Sequence, residues 1–258
     1  MINFLKKLVP VELRHKMVHL SPEAIRHGLV DMYISKRMSA FEEIRRKLGD
    51  KWMAGIPGGK NFSPNIGSNT TGALISDFWR RVPANDRGNA PVCYAESQIS
   101  WDIDLLKGHV DRLLPNKGTV LDFGCNAGRV LHRFVEAGYH GIGVEINPKA
   151  VELGKTAFPS LNKAKFYVGD GPESLRMVDS DSVDLIYSCA VLRHVAPEKI
   201  DAVIAEFSRI GPKYIITLED EASFSYRTFP HNYRSKFGSH GWRETHTQYV
   251  IDVRSFID

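Results

Sequence analysis

From residue 119 onward, short apolar runs alternate with stretches whose apolar residues recur every three or four positions. TVLDFG, HGIGVEI, AKFYVGD, VDLIYSCA and KYIITLE read as strands. AGRVLHRFVEAG, PKAVELGKTAF and PEKIDAVIAEFSRI read as the amphipathic helices between them. Such alternation implies a parallel sheet covered on both faces and built from right-handed crossovers. A helix from about Tyr94 to Leu114 leads into it through the turn Pro115–Gly118. Beyond the last strand, Phe229 to Phe237 reads as a helix, and Trp242–Thr245 with Gln248–Ile251 as a hairpin.

The first fifty residues carry a different pattern. Leu5, Leu8, Val9, Leu13, Met17 and Leu20 recur at helical spacing, with Pro10 marking a boundary. Ser21-Pro22-Glu23 starts a further helix, an N-cap serine followed by proline, and Gly49-Asp50 ends it. The segment from Gly55 to Gly72 then has loop chemistry suited to a connector or a lid over a pocket. Its Gly59-Lys60 is no phosphate loop: Ala54 stands where the first glycine belongs and Asn61 where Ser or Thr would hold magnesium. The expected organisation is a helical extension over residues 1–90 and an α/β domain over residues 91–258.

Composition narrows the class. The 258 residues are 43% hydrophobic and 25% charged, enough for a sizeable core. No apolar run approaches the roughly 18 residues of a membrane-spanning helix, and the N-terminus lacks the apolar core and cleavage site of a secretory signal. Three scattered cysteines, Cys93, Cys125 and Cys189, form neither a disulfide framework nor a zinc site, which points to a cytoplasmic protein. Residues 1–90 hold 15 Lys and Arg against 8 Asp and Glu, an excess the rest of the chain lacks. That excess leaves peripheral membrane contact open. Nucleic acid is not the expected partner, because no block of like charges and no aromatic interleaving accompany it.

The chemistry is concentrated after the first strand, where Leu121-Asp122-Phe123-Gly124-Cys125-Asn126-Ala127-Gly128-Arg129 runs straight into a helix. Glycines let backbone approach a ligand, and free N–H groups at the helix start favour a polar group. A dinucleotide fingerprint fails, since Asn126 and Arg129 fall where its second and third glycines belong. The segment instead resembles the first motif of class I S-adenosylmethionine-dependent methyltransferases, acidic-x-Gly-x-Gly-x-Gly, here Asp122-x-Gly124-x-Asn126-x-Gly128. Asn126 departs from it, mildly, because Asn tolerates left-handed backbone. The succession that follows is similar to the family's as well: Glu145 ending the second strand 21 residues after Gly124, Val168-Gly169-Asp170-Gly171 ending the third, and Val191-Leu192-Arg193-His194-Val195 after the fourth. The likeness covers roughly residues 95–258, with Gly211-Pro212 standing for the family's usual Pro-Gly-Gly turn.

That resemblance implies a seven-stranded, mostly parallel, doubly wound α/β sheet with a C-terminal antiparallel hairpin, and S-adenosyl-L-methionine as cofactor. Asp122, Gly124, Cys125, Asn126, Gly128, Glu145, Ile146, Asp170, Gly171 and Ser188 would hold it. Within that set Glu145 takes the ribose hydroxyls, Ile146 the adenine face, Asp170 the adenine amino group, and Asp122 the methionine amino group. Ser188-Cys189-Ala190-Val191 replaces the Asn/Asp-Pro-Pro-Tyr motif that grips planar amino groups. The expected acceptor is therefore a small molecule, sugar or lipid-linked group, methylated at oxygen. His194, His231 and Glu219 are the candidates for moving its proton, with Arg193, Asp220 and Tyr233 nearby in sequence. No metal-ligand pattern stands out. The basic extension is expected to serve the acceptor rather than the cofactor. A methyltransferase-like binding protein, with that extension holding RNA, a protein or a membrane, is the alternative.

Overall fold

The computed structural model describes residues 71–82, 90–96, 101–219 and 228–247. Three helices precede the sheet: α1 (Thr71–Arg80), α2 (Pro91–Glu96) and α3 (Trp101–Leu113). Then come β1 (Thr119–Phe123), α4 (Leu131–Glu136), β2 (His140–Glu145), α5 (Pro148–Ala157), β3 (Lys165–Val168) and α6 (Gly171–Leu175). The series closes with β4 (Leu185–Cys189), α7 (Pro197–Ile210), β5 (Tyr214–Leu218) and α8 (Tyr233–Ser239). The helix expected from Tyr94 to Leu114 is thus α2 and α3, and the one expected over Phe229–Phe237 begins four residues later, at Tyr233.

The five strands are parallel in the order β3-β2-β1-β4-β5. The chain enters at the centre, builds outward through β2 and β3, then crosses back to lay β4 on the other side of β1. That reversal opens a crevice beyond the carboxyl ends of β1 and β4, where open parallel sheets bind ligands. Seven strands were expected, and five are present among the described residues. Residues 242–247 form no strand, residues 248–251 lie outside the described set, and so the hairpin is not seen. The helices expected before residue 50 and nearly all of the Gly55–Gly72 loop also lie outside it.

Both faces of the central strands β1, β2 and β4 are covered, while the edge strands β3 and β5 stay partly exposed. Leu121, Phe123, Ile142, Val144 and Ile186 pack against Ile200, Val203, Ile204, Phe207 and Ile210 of α7. Those five recur at helical spacing in PEKIDAVIAEFSRI, so α7 buries one stripe and exposes its charges. Burying each of these side chains stabilises the fold by about 1.5–3 kcal/mol relative to exposure. Pro197 starts the helix, and Gly211 ends it with a left-handed φ of 73° that a Cβ would disfavour. On the opposite face Val120, Leu185 and Tyr187 meet Leu106 and Val110 of α3 and Leu131 and Phe134 of α4. Strands buried on both faces explain the near-continuous apolar runs of the sequence.

Candidate functional site

The loop after β1 is shaped by three left-handed residues, Gly124 (φ 77°), Asn126 (φ 50°) and Gly128 (φ 71°). A Cβ on Gly124 would lie 2.4 Å from Val191 Cγ1, and one on Gly128 2.5 Å from Leu161 Cδ1, so both positions require glycine for space as well as for φ. Asn126 manages its conformation by accepting the Ala127 N–H on Oδ1 at 2.7 Å. Helix α5 presses on the same loop: a Cβ on Gly154 would lie 2.3 Å from the Ala127 carbonyl oxygen.

Glu145, at the end of β2, is 7% exposed. Its Oε2 accepts the Asn126 N–H at 2.7 Å and its Oε1 the Asn147 N–H at 2.9 Å. Burial pushes this carboxyl up, against the pull of the surrounding backbone amides. It therefore braces the loop from behind while also lining the cavity in front. Asp170 follows β3 and caps α6, its Oδ1 accepting the Gly171 N–H at 2.8 Å. Its Oδ2 accepts the Ser76 hydroxyl at 2.8 Å and the Lys199 ammonium. Burial raises Asp170, but Lys199, Ser76 and the Gly171 amide together hold it below the usual carboxylate range.

These residues open on one cavity of about 950 Å³, solvent mouth included. Gly124, Asn126, Glu145, Ile146, Asp170 and Gly171 line it, as do Ile75, Ser76, Trp79, Tyr94, Ala190, His194 and Lys199. Asp122, Cys125, Gly128 and Ser188 do not; they lie behind its wall. Burial pushes the Asp122 carboxyl up to about 8, the adjacent Tyr187 hydroxyl pulls it down, and Glu145 adds to the rise. Cys125 is buried, and its thiol is pushed well up by that burial.

The three proton-transfer candidates separate. His194 lines the cavity, its ring 4.6 Å from that of Trp79 and edge-on to it. Glu219 stands outside the lining and holds the turn after β4: Oε1 accepts the Ser188 hydroxyl at 2.6 Å and the amides of Val191 and Leu192 at 2.9 and 3.0 Å. Ala190 makes that turn possible with a left-handed φ of 56°. His231 is 1% exposed and also outside the lining. Its Nε2 must donate to the Val195 carbonyl, 2.8 Å away, and burial lowers its pKa to about 4, so the ring stays neutral. Among the described residues no group of three or more His, Cys, Asp or Glu gathers to hold a metal, and no helix is long and apolar enough to cross a membrane.

Sequence reasoning missed Ser76, Trp79, Tyr94 and Lys199. The first ninety residues are expected to serve the acceptor or a partner and not the cofactor; of them, α1 places Ile75, Ser76 and Trp79 in the cavity that Glu145 and Asp170 line. Ser76 lies 94 residues before Asp170, and no local spacing signals that encounter.

A glycine-shaped loop and two strand-end carboxylates meet on one cavity where the strand order of the parallel sheet reverses. Residues 120–211 match the family model of a methyltransferase domain. No curated protein sequence matches the chain. Among solved structures it is similar to a SAM-dependent methyltransferase from Archaeoglobus fulgidus (23% identity, 43% of this chain and 48% of that one, TM-score 0.35). It is also similar to a TehB-like SAM-dependent methyltransferase from Corynebacterium glutamicum (25% identity, 46% and 60%, TM-score 0.36). A third is a SAM-dependent methyltransferase from Methanosarcina mazei (25% identity, 40% and 51%, TM-score 0.36). The chain thus spans about half to three fifths of the length of these structures.

Proposed function

We propose that the protein is an S-adenosylmethionine-dependent methyltransferase acting on a small molecule, sugar or lipid-linked acceptor, with oxygen as the methylated atom. The observation that carries it is the convergence of the Gly124–Gly128 loop, Glu145 and Asp170 on one cavity. The residues fit the cofactor: Gly124 and Asn126 bring the loop to the cavity, and each carboxylate keeps acceptor capacity beyond its protein partners. The bound sulfonium would supply a methyl group already activated for in-line displacement.

The protein's part is to bind, align and handle a proton. Glu145 would accept from the ribose hydroxyls and Asp170 from the adenine amino group, while Ile146 would offer an apolar face. Trp79, Tyr94 and His194 wall the cavity beside the turn after β4 and would position the acceptor, since alignment within about 3–3.5 Å supplies much of the rate. His194 is the candidate base, being the one of the three that faces the cavity. The absence of a Pro-Pro-Tyr grip after β4, where Cys189-Ala190-Val191 stands, supports oxygen over a planar amino nitrogen.

Calorimetry with S-adenosylmethionine, S-adenosylhomocysteine and NAD tests the cofactor, and transfer of labelled methyl to fractions of a metabolite extract tests the activity. Binding of the sulfonium and its product, with NAD ignored, is expected. NAD binding without response to either would overturn the reading.

A further inference from the structure

Asp170 is engaged far beyond what a turn residue needs. Its carboxylate joins three elements: the start of α6 through Gly171, α1 through Ser76, and the first turn of α7 through Lys199. Lys199 Nζ also lies 3.1 Å from Ser76 Oγ, so the three side chains form a closed triangle. All three line the cavity shared with Glu145. The pair is sheltered, the Lys199 and Asp170 side chains being 29% and 22% exposed.

A carboxylate offers about four acceptor sites and no donor. Gly171, Ser76 and Lys199 use three, which leaves one. That site can take a single N–H or O–H hydrogen and is repelled by a carbonyl oxygen. We propose that Lys199 and Ser76 are positioning residues of the cofactor site, fixing the Asp170 carboxylate so that its one spare acceptor selects a nucleoside with an amino group on its base. This deepens the cofactor reading above and rests on it. Lys199 acts in two ways: its ammonium fixes the carboxylate's orientation, and its charge opposes the burial that would otherwise drive a proton onto Asp170. A protonated carboxyl can donate, and the preference for an amino partner is then lost. Ser76 brings α1 into the same arrangement, so part of the chain before the sheet contributes to reading the base.

An ion pair that only stabilises the fold would change ligand affinities uniformly or not at all. The test therefore reads a ratio. Full-length protein is titrated calorimetrically with S-adenosylhomocysteine and with S-inosylhomocysteine, which carries an oxo group in place of the amino group. The unsubstituted protein should bind the adenosyl compound at least about tenfold tighter, the scale of one charge-assisted hydrogen bond. Lys199→Met should bring that ratio close to one, chiefly by weakening the adenosyl compound. Ser76→Ala should lower it about threefold, a neutral hydrogen bond's share, and Lys199→Arg should retain most of it. Thermal unfolding checks that each variant is folded. An unchanged ratio in both Lys199→Met and Ser76→Ala overturns the proposal while leaving the cofactor reading standing, as does an unsubstituted protein that binds both compounds equally. An unsubstituted protein that binds neither overturns the cofactor reading itself.

Discussion

Replacing Glu145 by Gln separates its two tasks. The carboxylate accepts the Asn126 N–H on one oxygen and the Asn147 N–H on the other. An amide offers one oxygen and one NH2, so in either orientation one backbone N–H meets a donor. Leaving a buried N–H unsatisfied costs about 1–3 kcal/mol. Removing a buried charge offsets part of that, because burial raises the Glu145 carboxyl. The expected net loss is about 1–2 kcal/mol, or roughly 2–8 °C in Tm for a chain of this size. The effect on ligand is larger. Two charge-assisted bonds to ribose hydroxyls become at most one neutral bond, a loss of about 2–4 kcal/mol and hence roughly 30- to 1,000-fold in affinity. Urea unfolding and calorimetry with S-adenosylhomocysteine measure the two terms separately. A variant that loses stability yet binds within threefold of the parent would show that Glu145 only braces the Gly124–Gly128 loop. That result would refute its role toward the ribose.

Asp122 makes stability depend on pH with a definite sign. Its folded pKa, raised to about 8, stands above the ordinary 3.8, so between those values the unfolded chain has lost a proton that the folded chain keeps. Ligand-free stability should therefore fall from about pH 4 to pH 8 by up to about 5 kcal/mol from this group, since each pH unit contributes about 1.4 kcal/mol. Asp122→Asn should flatten urea-unfolding free energies between pH 5.5 and 8.5, and parallel curves for the two proteins would contradict this. Gly154→Ala places a Cβ 2.3 Å from the Ala127 carbonyl oxygen. It should cost about 1–3 kcal/mol in unfolding and weaken cofactor binding by moving the loop. Gly108→Ala, where nothing lies within 4 Å, should instead gain about 1 kcal/mol with binding unchanged. Equal behaviour of the two glycine variants would argue against tight packing of α5 on the loop.

What was legible in the sequence was what local pattern carries. The parallel α/β core followed from dry strands alternating with stripes such as Ile200–Ile210. The left-handed loop after β1 followed from residues adjacent in the chain, and Asn126 does adopt the left-handed backbone that its residue type permits. Spacing alone did not separate residues that face the cavity from those behind it. Ser188 and Glu219 both stand near the carboxyl ends of strands, outside the cavity lining. Their side chains pair with each other, and Glu219 caps the amides of the turn after β4. His231 sits in a segment with ligand-like residues, yet its proton is committed to the Val195 carbonyl. The other gap, α1, could not be anticipated, because Ser76 and Trp79 meet partners more than ninety residues away.

That distance sets an order of assembly. Ser76 is separated from Asp170 by 94 residues and from Lys199 by 123. Closing a loop of about 94 residues costs roughly 4 kcal/mol in chain entropy beyond the constant term, so these contacts form only once the sheet already holds Asp170 and α7 in place. On a ribosome adding about 5–20 residues per second, α1 is synthesised roughly 6–25 s before Lys199 exists. A helix made before the sheet thus completes the site after it. A newly made chain can own its whole β1–β4 crevice and still lack one wall of the cavity.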